Sequence, residues 1–314
     1  MNTYKKLLLL ALVNFVFLSV TAQEAESRST ADIMNAPNPE KYKELNLNNR
    51  GLTKLPIEIG RFVNLEKLWI NYNNLQSLPI EISKLTKLKE LYLNNNLFMK
   101  FPIELGKMPS LEKLEIQKNK LESVSSYLGK LMKLRKLNLS NNKIESIPVE
   151  IGNLTSLSEI ILFDNKIKEI PLEVGKLTKL KVFNAEKNNI SVLPVEVGNL
   201  VNLTLLNVNS NQIQAVPTEI GNLVNVKYLG LEKNQIKKIP AEIGKMALLT
   251  TLDLDNNQLK TLPQELLNVV DLKELFLATN PWNSFPESLY PLLEKLQFGQ
   301  SDQVKKIVQT KTKS

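Results

Sequence analysis

The stretch that decides the fold is "LNLSNNKIESIPVEIGNLTSLSE", residues 137–159. It opens apolar–polar–apolar, a period of two that puts Leu137 and Leu139 on one face of a short strand. Asn142 follows, then Ile144 and Ile147, then Pro148 and the segment "VEIG". A step of 23 residues in either direction meets the same arrangement again. Segments beginning at Leu45, Leu68, Leu91, Leu114, Leu137, Ile160, Phe183, Leu206, Leu229, Leu252 and Leu275 align without one insertion. The sixth position is Asn in ten of these eleven units, Asn73 to Asn280, and the twelfth is Pro in ten, Pro56 to Pro286. One such unit cannot bury its apolar face alone, so neighbours must stack strand beside parallel strand, about 4.8 Å apart.

The rest of each unit follows from its residue types. The asparagine carries both donors and an acceptor, so it can satisfy turn backbone groups between neighbouring units. Proline suits the first position of a helical turn, and the glutamate two residues later suits that turn's positive end. The glycine is expected to take a left-handed exit. The residue before the proline is a poor N-cap, which predicts one irregular or 3₁₀ turn and not a long helix. Ile151, Leu154 and Leu157 of this segment are expected to close the core.

The period, the leucines, the asparagine and "LPxEIG" recurring together resemble the leucine-rich repeat family over residues 45–298. The resemblance implies an α/β solenoid, a horseshoe with a concave parallel β-sheet and an irregular or 3₁₀ convex side. "DIMNAPNPEKYKELNLN" followed by "LPIEIG" units resembles the N-terminal arrangement of secreted bacterial members. That implies protein–protein recognition by the concave face, often at a host interface.

Composition narrows the functions further. The 314 residues contain no cysteine and no histidine. Structural zinc, disulfides, thiol catalysis and histidine acid–base chemistry are thereby set aside, and the chain is read as non-enzymatic with no cofactor. The formal charge of +8 lies largely at the ends; residues 23–298 hold 34 basic and 31 acidic side chains. A near-neutral body argues against a nucleic-acid groove.

Residues 1–22 read as a secretory signal sequence: "MNTYKK" is basic, "LLLLALVNFVFLSV" is apolar, and small residues lead to Ala22. The apolar run is short for a membrane span, and no integral span is expected after cleavage. Residues 23–44 read as an N-terminal cap, with a short helix in "TADIMNA". The repeats run through 45–298, with Trp282, Leu289, Leu292, Leu293 and Leu296 in a C-terminal capping unit. Residues 299–314 read as a basic flexible tail. The protein is therefore expected to be exported, whether secreted, at the cell surface or in the periplasm.

Facing strand residues map the concave surface. In "EIILFDN", Glu159–Asn165, Ile160 and Leu162 belong to the core, so Ile161 and Phe163 face out. The column before each strand's first core residue runs through Glu and Lys, then becomes Val182, Leu205 and Tyr228. Ile161, Phe163, Val182, Leu205 and Tyr228 thus form an apolar patch over four strands, flanked by Glu186, Glu232, Asp253 and Asp255. Such a patch marks a protein-binding surface. Trp69 and Tyr92 form a smaller aromatic pair on adjacent strands, a second contact candidate.

Other motifs carry less. "DLDNNQ", 253–258, lacks the glycine and the bidentate glutamate of a calcium loop. "SVSSYLG" in the fourth unit replaces proline with Ser125 and glutamate with Tyr127, a drift on the convex side. The sequons at Asn138, Asn153, Asn189 and Asn202 matter only in a eukaryotic secretory pathway. Two readings of the partner remain: an external or host protein, or, for a structural envelope component, the cell's own periplasmic or outer-membrane proteins.

Overall fold

In a computed structural model, residues 29–296 are described, without the side chains of Glu294 and Lys295. The signal sequence read over 1–22 and the tail read over 299–314 lie outside the described residues. Eleven three-residue strands, β1 (Glu44–Asn46) through β11 (Glu274–Phe276), form one open sheet in chain order. Every pairing is parallel and in the repeat register, Leu45 beside Leu68 and Leu206 beside Leu229. Leucines at the first and third positions, such as Leu137 and Leu139, are buried in one core that runs from Ile33 to Leu296. Ile151, Leu154 and Leu157 close that core from the other side.

After each strand the chain turns on a residue with positive φ, at 52° to 57°, and none of these eleven residues is glycine. Tyr72, Lys118 and Asp164 are examples. A left-handed conformation is unfavourable for such residues, so the surroundings must hold it. Their N–H groups do part of this: that of Tyr72 donates to the Asn94 carbonyl of the next unit, at 2.9 Å. The asparagine ladder does the rest. Asn211 donates to the carbonyls of Ala185, Val208 and Asn209 at 3.0–3.1 Å and accepts from the Ile190 N–H at 3.0 Å. Every donor and the acceptor of that amide bridge turn backbone, as the sequence leads one to expect.

The return path is a five-residue 3₁₀ turn in the first ten units, for example Val149–Asn153. Proline sits one place earlier than expected: Pro148 is the N-cap, and its carbonyl accepts from the Ile151 N–H. The glycine also departs from expectation. No glycine of the "EIG" segments has a positive φ; among the described residues only Gly51 does. What forbids a side chain there is the next unit. A β-carbon on Gly152 would stand 2.8 Å from both the Cβ and the carbonyl oxygen of Glu173. Glycine therefore sets how closely the convex turns stack, and the left-handed exit is withdrawn.

Both ends of the core are covered. Helix α1 (Thr30–Met34) starts with a capping box between Ser29 and Asp32 and buries Ile33 and Met34. The Arg61 guanidinium fixes the chain that follows by donating to the carbonyls of Met34 and Ala36 at 2.8 and 3.1 Å. At the far end Trp282, Leu289, Leu293 and Leu296 are buried, with Leu292 partly so, and a short helix α2 (Tyr290–Lys295) closes the stack. The Trp282 indole N–H donates to the Leu277 carbonyl at 2.7 Å.

Candidate functional site

The concave face is a grid whose columns are strands and whose rows are equivalent positions. Val182 on β7 (Val182–Asn184) pairs with Leu205 on β8 (Leu205–Asn207), which pairs with Tyr228 on β9 (Tyr228–Gly230). These three form one apolar row, each half-buried. Ile161 on β6 (Glu159–Ile161) lies diagonally from Val182, because its paired neighbour is Asn184. Phe163 stands just past the far end of β6, four residues along from the row, or about 13 Å at strand rise. The Lys187 ammonium lies 5.0 Å from its ring centre. The proposed patch is therefore a row of three, a diagonal link and an outlying phenylalanine.

Between them the middle row is polar. Asn184 and Asn207 are buried, and Gly230 leaves a notch. A β-carbon on Gly230 would stand 2.7 Å from the Oδ1 atoms of Asn207 and Asn209 and 2.9 Å from Cε1 of Tyr228. The Tyr228 ring lies over that notch, and Asn209 donates to its hydroxyl at 3.2 Å. Burial raises the Tyr228 phenol above its ordinary pKa, and the Asp253 charge adds to this.

The acidic flank is partly occupied by internal bonds. Glu186 accepts from the Asn207 amide at 2.9 Å, and Glu232 pairs with Lys233 at 3.0 Å. Asp253 accepts from the Asp255 N–H at 3.2 Å, and Asp255 from the Ala278 N–H at 2.5 Å. Burial raises the Asp255 carboxyl above its ordinary value, with the Ala278 N–H pulling the other way. Among the described residues no group of three or more Asp, Glu, His or Cys is placed to hold a metal ion.

Trp69 on β2 (Lys67–Trp69) and Tyr92 on β3 (Glu90–Tyr92) are directly paired and stacked, centres 5.7 Å apart and 12° between planes. The Tyr92 hydroxyl donates to Glu90 at 2.6 Å, and Lys113 lies 4.8 Å from its ring centre. Burial raises this phenol as well, and the Glu90 hydrogen bond adds to it. Tyr92 is thus largely enclosed, and Trp69 is the more accessible ring.

One surface escaped the sequence reading. A row of exposed apolar side chains lies on the convex side, at the head of the 3₁₀ turns: Ile57 (60% exposed), Ile80, Ile103, Val149, Leu172 and Val195 (50%). The repeat consensus leaves this thirteenth position open, although six units fill it with Ile, Val or Leu.

This architecture agrees with sequence comparison. The chain matches the leucine-rich repeat region over residues 2–137, 117–216 and 218–310, and it belongs to the leucine-rich repeat family. No curated protein matches it in sequence. Among solved structures, a leucine-rich repeat protein of Leptospira interrogans is 35% identical with a TM-score of 0.67, over 82% of this chain and 71% of that one. An internalin of Listeria monocytogenes is 25% identical, also at 0.67, over 82% and 76%. The Arabidopsis receptor kinase HAESA, solved with a peptide hormone and a co-receptor, is 26% identical at 0.67. There the match spans 85% of this chain and 48% of the receptor. The fold suggests a protein-binding scaffold, as members of this family generally are. Among the described residues no helix is long and apolar enough to cross a membrane.

Proposed function

We propose that the chain is an exported, non-enzymatic scaffold that binds a protein partner on its concave sheet, at the bacterial surface or a host interface. The observation that carries this reading is the row Val182, Leu205 and Tyr228. It interrupts a face otherwise held by ion pairs such as Lys67–Glu90 and Lys136–Glu159, and by asparagine hydrogen bonds. Half-exposed apolar side chains in one row offer contact area, and the acids beside them offer orientation. Export draws its support from the basic–apolar–small order of residues 1–22 and from the bacterial relatives.

The test is a binding screen of protein beginning at Gln23 against host extracellular proteins and a bacterial envelope extract. It is run beside a Phe163→Asp/Leu205→Glu variant whose thermal midpoint has been checked. A partner that binds wild type and not the folded variant supports the concave site. Equal binding by both moves the contact to Trp69 and Tyr92 or to the convex row. Protein confined to the periplasm, inaccessible to added protease on intact cells, would sink the host-facing version.

A further inference from the structure

The fourth-position N–H of each unit obeys a rule that fails once. In five units it donates to a second-position side chain of its own unit: Asn48 to Asn46, Ser140 to Asn138, Glu186 to Asn184, Asn209 to Asn207 and Asp255 to Asp253. In five others the second position is Trp69, Tyr92, Glu115, Gly230 or Phe276, and the preceding unit's fourth position supplies the acceptor instead. Asn48, Asn71, Asn94, Asn209 and Asp255 do this at 2.5–3.0 Å. Each of these ten units thus finds its acceptor by one route or the other.

The sixth unit has neither. Its second position is Ile161, and the preceding fourth position is Ser140. The Ser140 hydroxyl points toward acceptors of its own side, Asn138 Oδ1 at 2.6 Å and Gln117 Oε1 at 3.2 Å, and accepts no hydrogen bond from the Phe163 N–H. Among the described residues the Phe163 N–H makes no hydrogen bond. In the other ten units the acceptors are concave-face side chains, so this donor is directed to the same face. A backbone donor without a protein acceptor, beside Ile161 and the Phe163 ring, is unfavourable to leave dry.

We propose that the Phe163 N–H is a recognition point for the carbonyl oxygen of an extended peptide segment of the partner, with an apolar side chain of that segment set against Ile161 and Phe163. An uncharged carbonyl suits the position better than a carboxylate, because Glu186 and Asp164 flank Phe163 and offset Lys187. This deepens the concave-face reading and rests on it. A main-chain contact of this kind supplies affinity while neighbouring side chains supply selectivity.

The test repairs the ladder. Ser140→Asn restores the acceptor that Asn71 and Asn94 provide elsewhere, and leaves Ile161 and Phe163 in place. Amide exchange of the full chain is followed by NMR, with acetyl-leucine-methylamide as the uncharged probe and acetate as the charged one. In wild type the Phe163 amide is expected to exchange at least roughly fivefold faster than its counterparts at Asn94 and Asn209, after correction for intrinsic rates, the factor a typical net hydrogen bond supplies. The uncharged probe should shift it downfield. In Ser140→Asn the amide should be protected and the shift lost, with a thermal midpoint at or above wild type.

A Phe163 amide as slow as the others in free wild type overturns the inference. So does a probe shift that survives Ser140→Asn. A shift with acetate alone overturns the choice of a neutral carbonyl. Should Ser140→Asn fail to fold, Ile161→Asn repairs the ladder by the other route and is read by the same exchange measurement. None of these outcomes depends on finding the partner, so failure here leaves the broader concave-face reading standing, to be judged by its own screen.

Discussion

The carbonyl oxygen of Glu242 lies 2.5 Å from where a β-carbon on Gly221 would sit, and the Glu242 Cβ lies 2.7 Å from it. Neither atom is the far end of a flexible side chain, so the next convex turn must move to admit a methyl group. Gly221→Ala should lower stability by about 1–3 kcal/mol, the usual range for overpacking. A fall in the urea midpoint measures it. A midpoint unchanged within error would mean that the convex stacking is looser than this contact implies.

Asn211 is the second point of tension. Its Nδ2 faces three carbonyl oxygens, and its Oδ1 meets the Ile190 N–H. Asn211→Asp sets a carboxylate oxygen against those carbonyls. The protonated acid can still donate once, so folding should raise this carboxyl's pKa. The loss of stability is then largest at neutral pH, shrinks as pH falls through the raised folded pKa, and is smallest below the unfolded value of about 4. Asn211→Ala should cost roughly 1–3 kcal/mol at any pH, since it leaves buried groups unanswered. Parallel denaturation of the two variants at pH 7 and pH 3.5 separates the effects.

Asp255 carries a related lesson about charge on the concave face. Its carboxyl sits above the ordinary value, so the folded state prefers it protonated. A raised folded pKa contributes stability below the unfolded value, near 3.8, and that contribution is lost as pH rises through the folded value. At pH 7 the buried charge is a burden. Asp255→Asn keeps an acceptor for the Ala278 N–H without the charge. Its thermal midpoint should exceed wild type at pH 7 and match it at pH 3; a lower midpoint at pH 7 would contradict this.

Tyr92 and Tyr228 are both held above the ordinary phenol pKa, chiefly by burial. Of the seven tyrosines, these two should ionise only as the protein unfolds in alkali. Ultraviolet difference titration would show them as a late, cooperative step, reduced by one tyrosine in Tyr92→Phe. That variant also loses the bond to Glu90 and should cost roughly 1–2 kcal/mol.

Much of this was readable before any coordinates. The "LxL" alternation forces the strand, the asparagine recurring every 23 residues, Asn142 in this unit, points to the inter-unit ladder, and the weak N-cap at Ile147–Pro148 forces a 3₁₀ turn. What stayed hidden depends on contacts between neighbouring units. Gly152 looks like a helix terminator within its own unit, and its reason becomes visible only when Glu173 is set against it. Tyr72 and Lys118 give no hint of a left-handed backbone, because the hydrogen bonds that hold them come from the next repeat. The split of Phe163 from the Val182–Leu205–Tyr228 row also needed the register. The complementarity of second and fourth positions was present in the letters and was missed, since it links adjacent units and not residues within one.

The uniform spacing of the strands also governs how the molecule would answer a pulling force. Each unit touches chiefly its two neighbours along the stack, so tension applied at the ends has no long-range clasp to break first. Units would peel from an end, each releasing 23 residues, about 75 Å of extended chain for a loss of about 5 Å of folded length. A scaffold built this way acts as a shock absorber. It can lose end repeats under load while β6 to β9, in the middle of the array, keep their stacking.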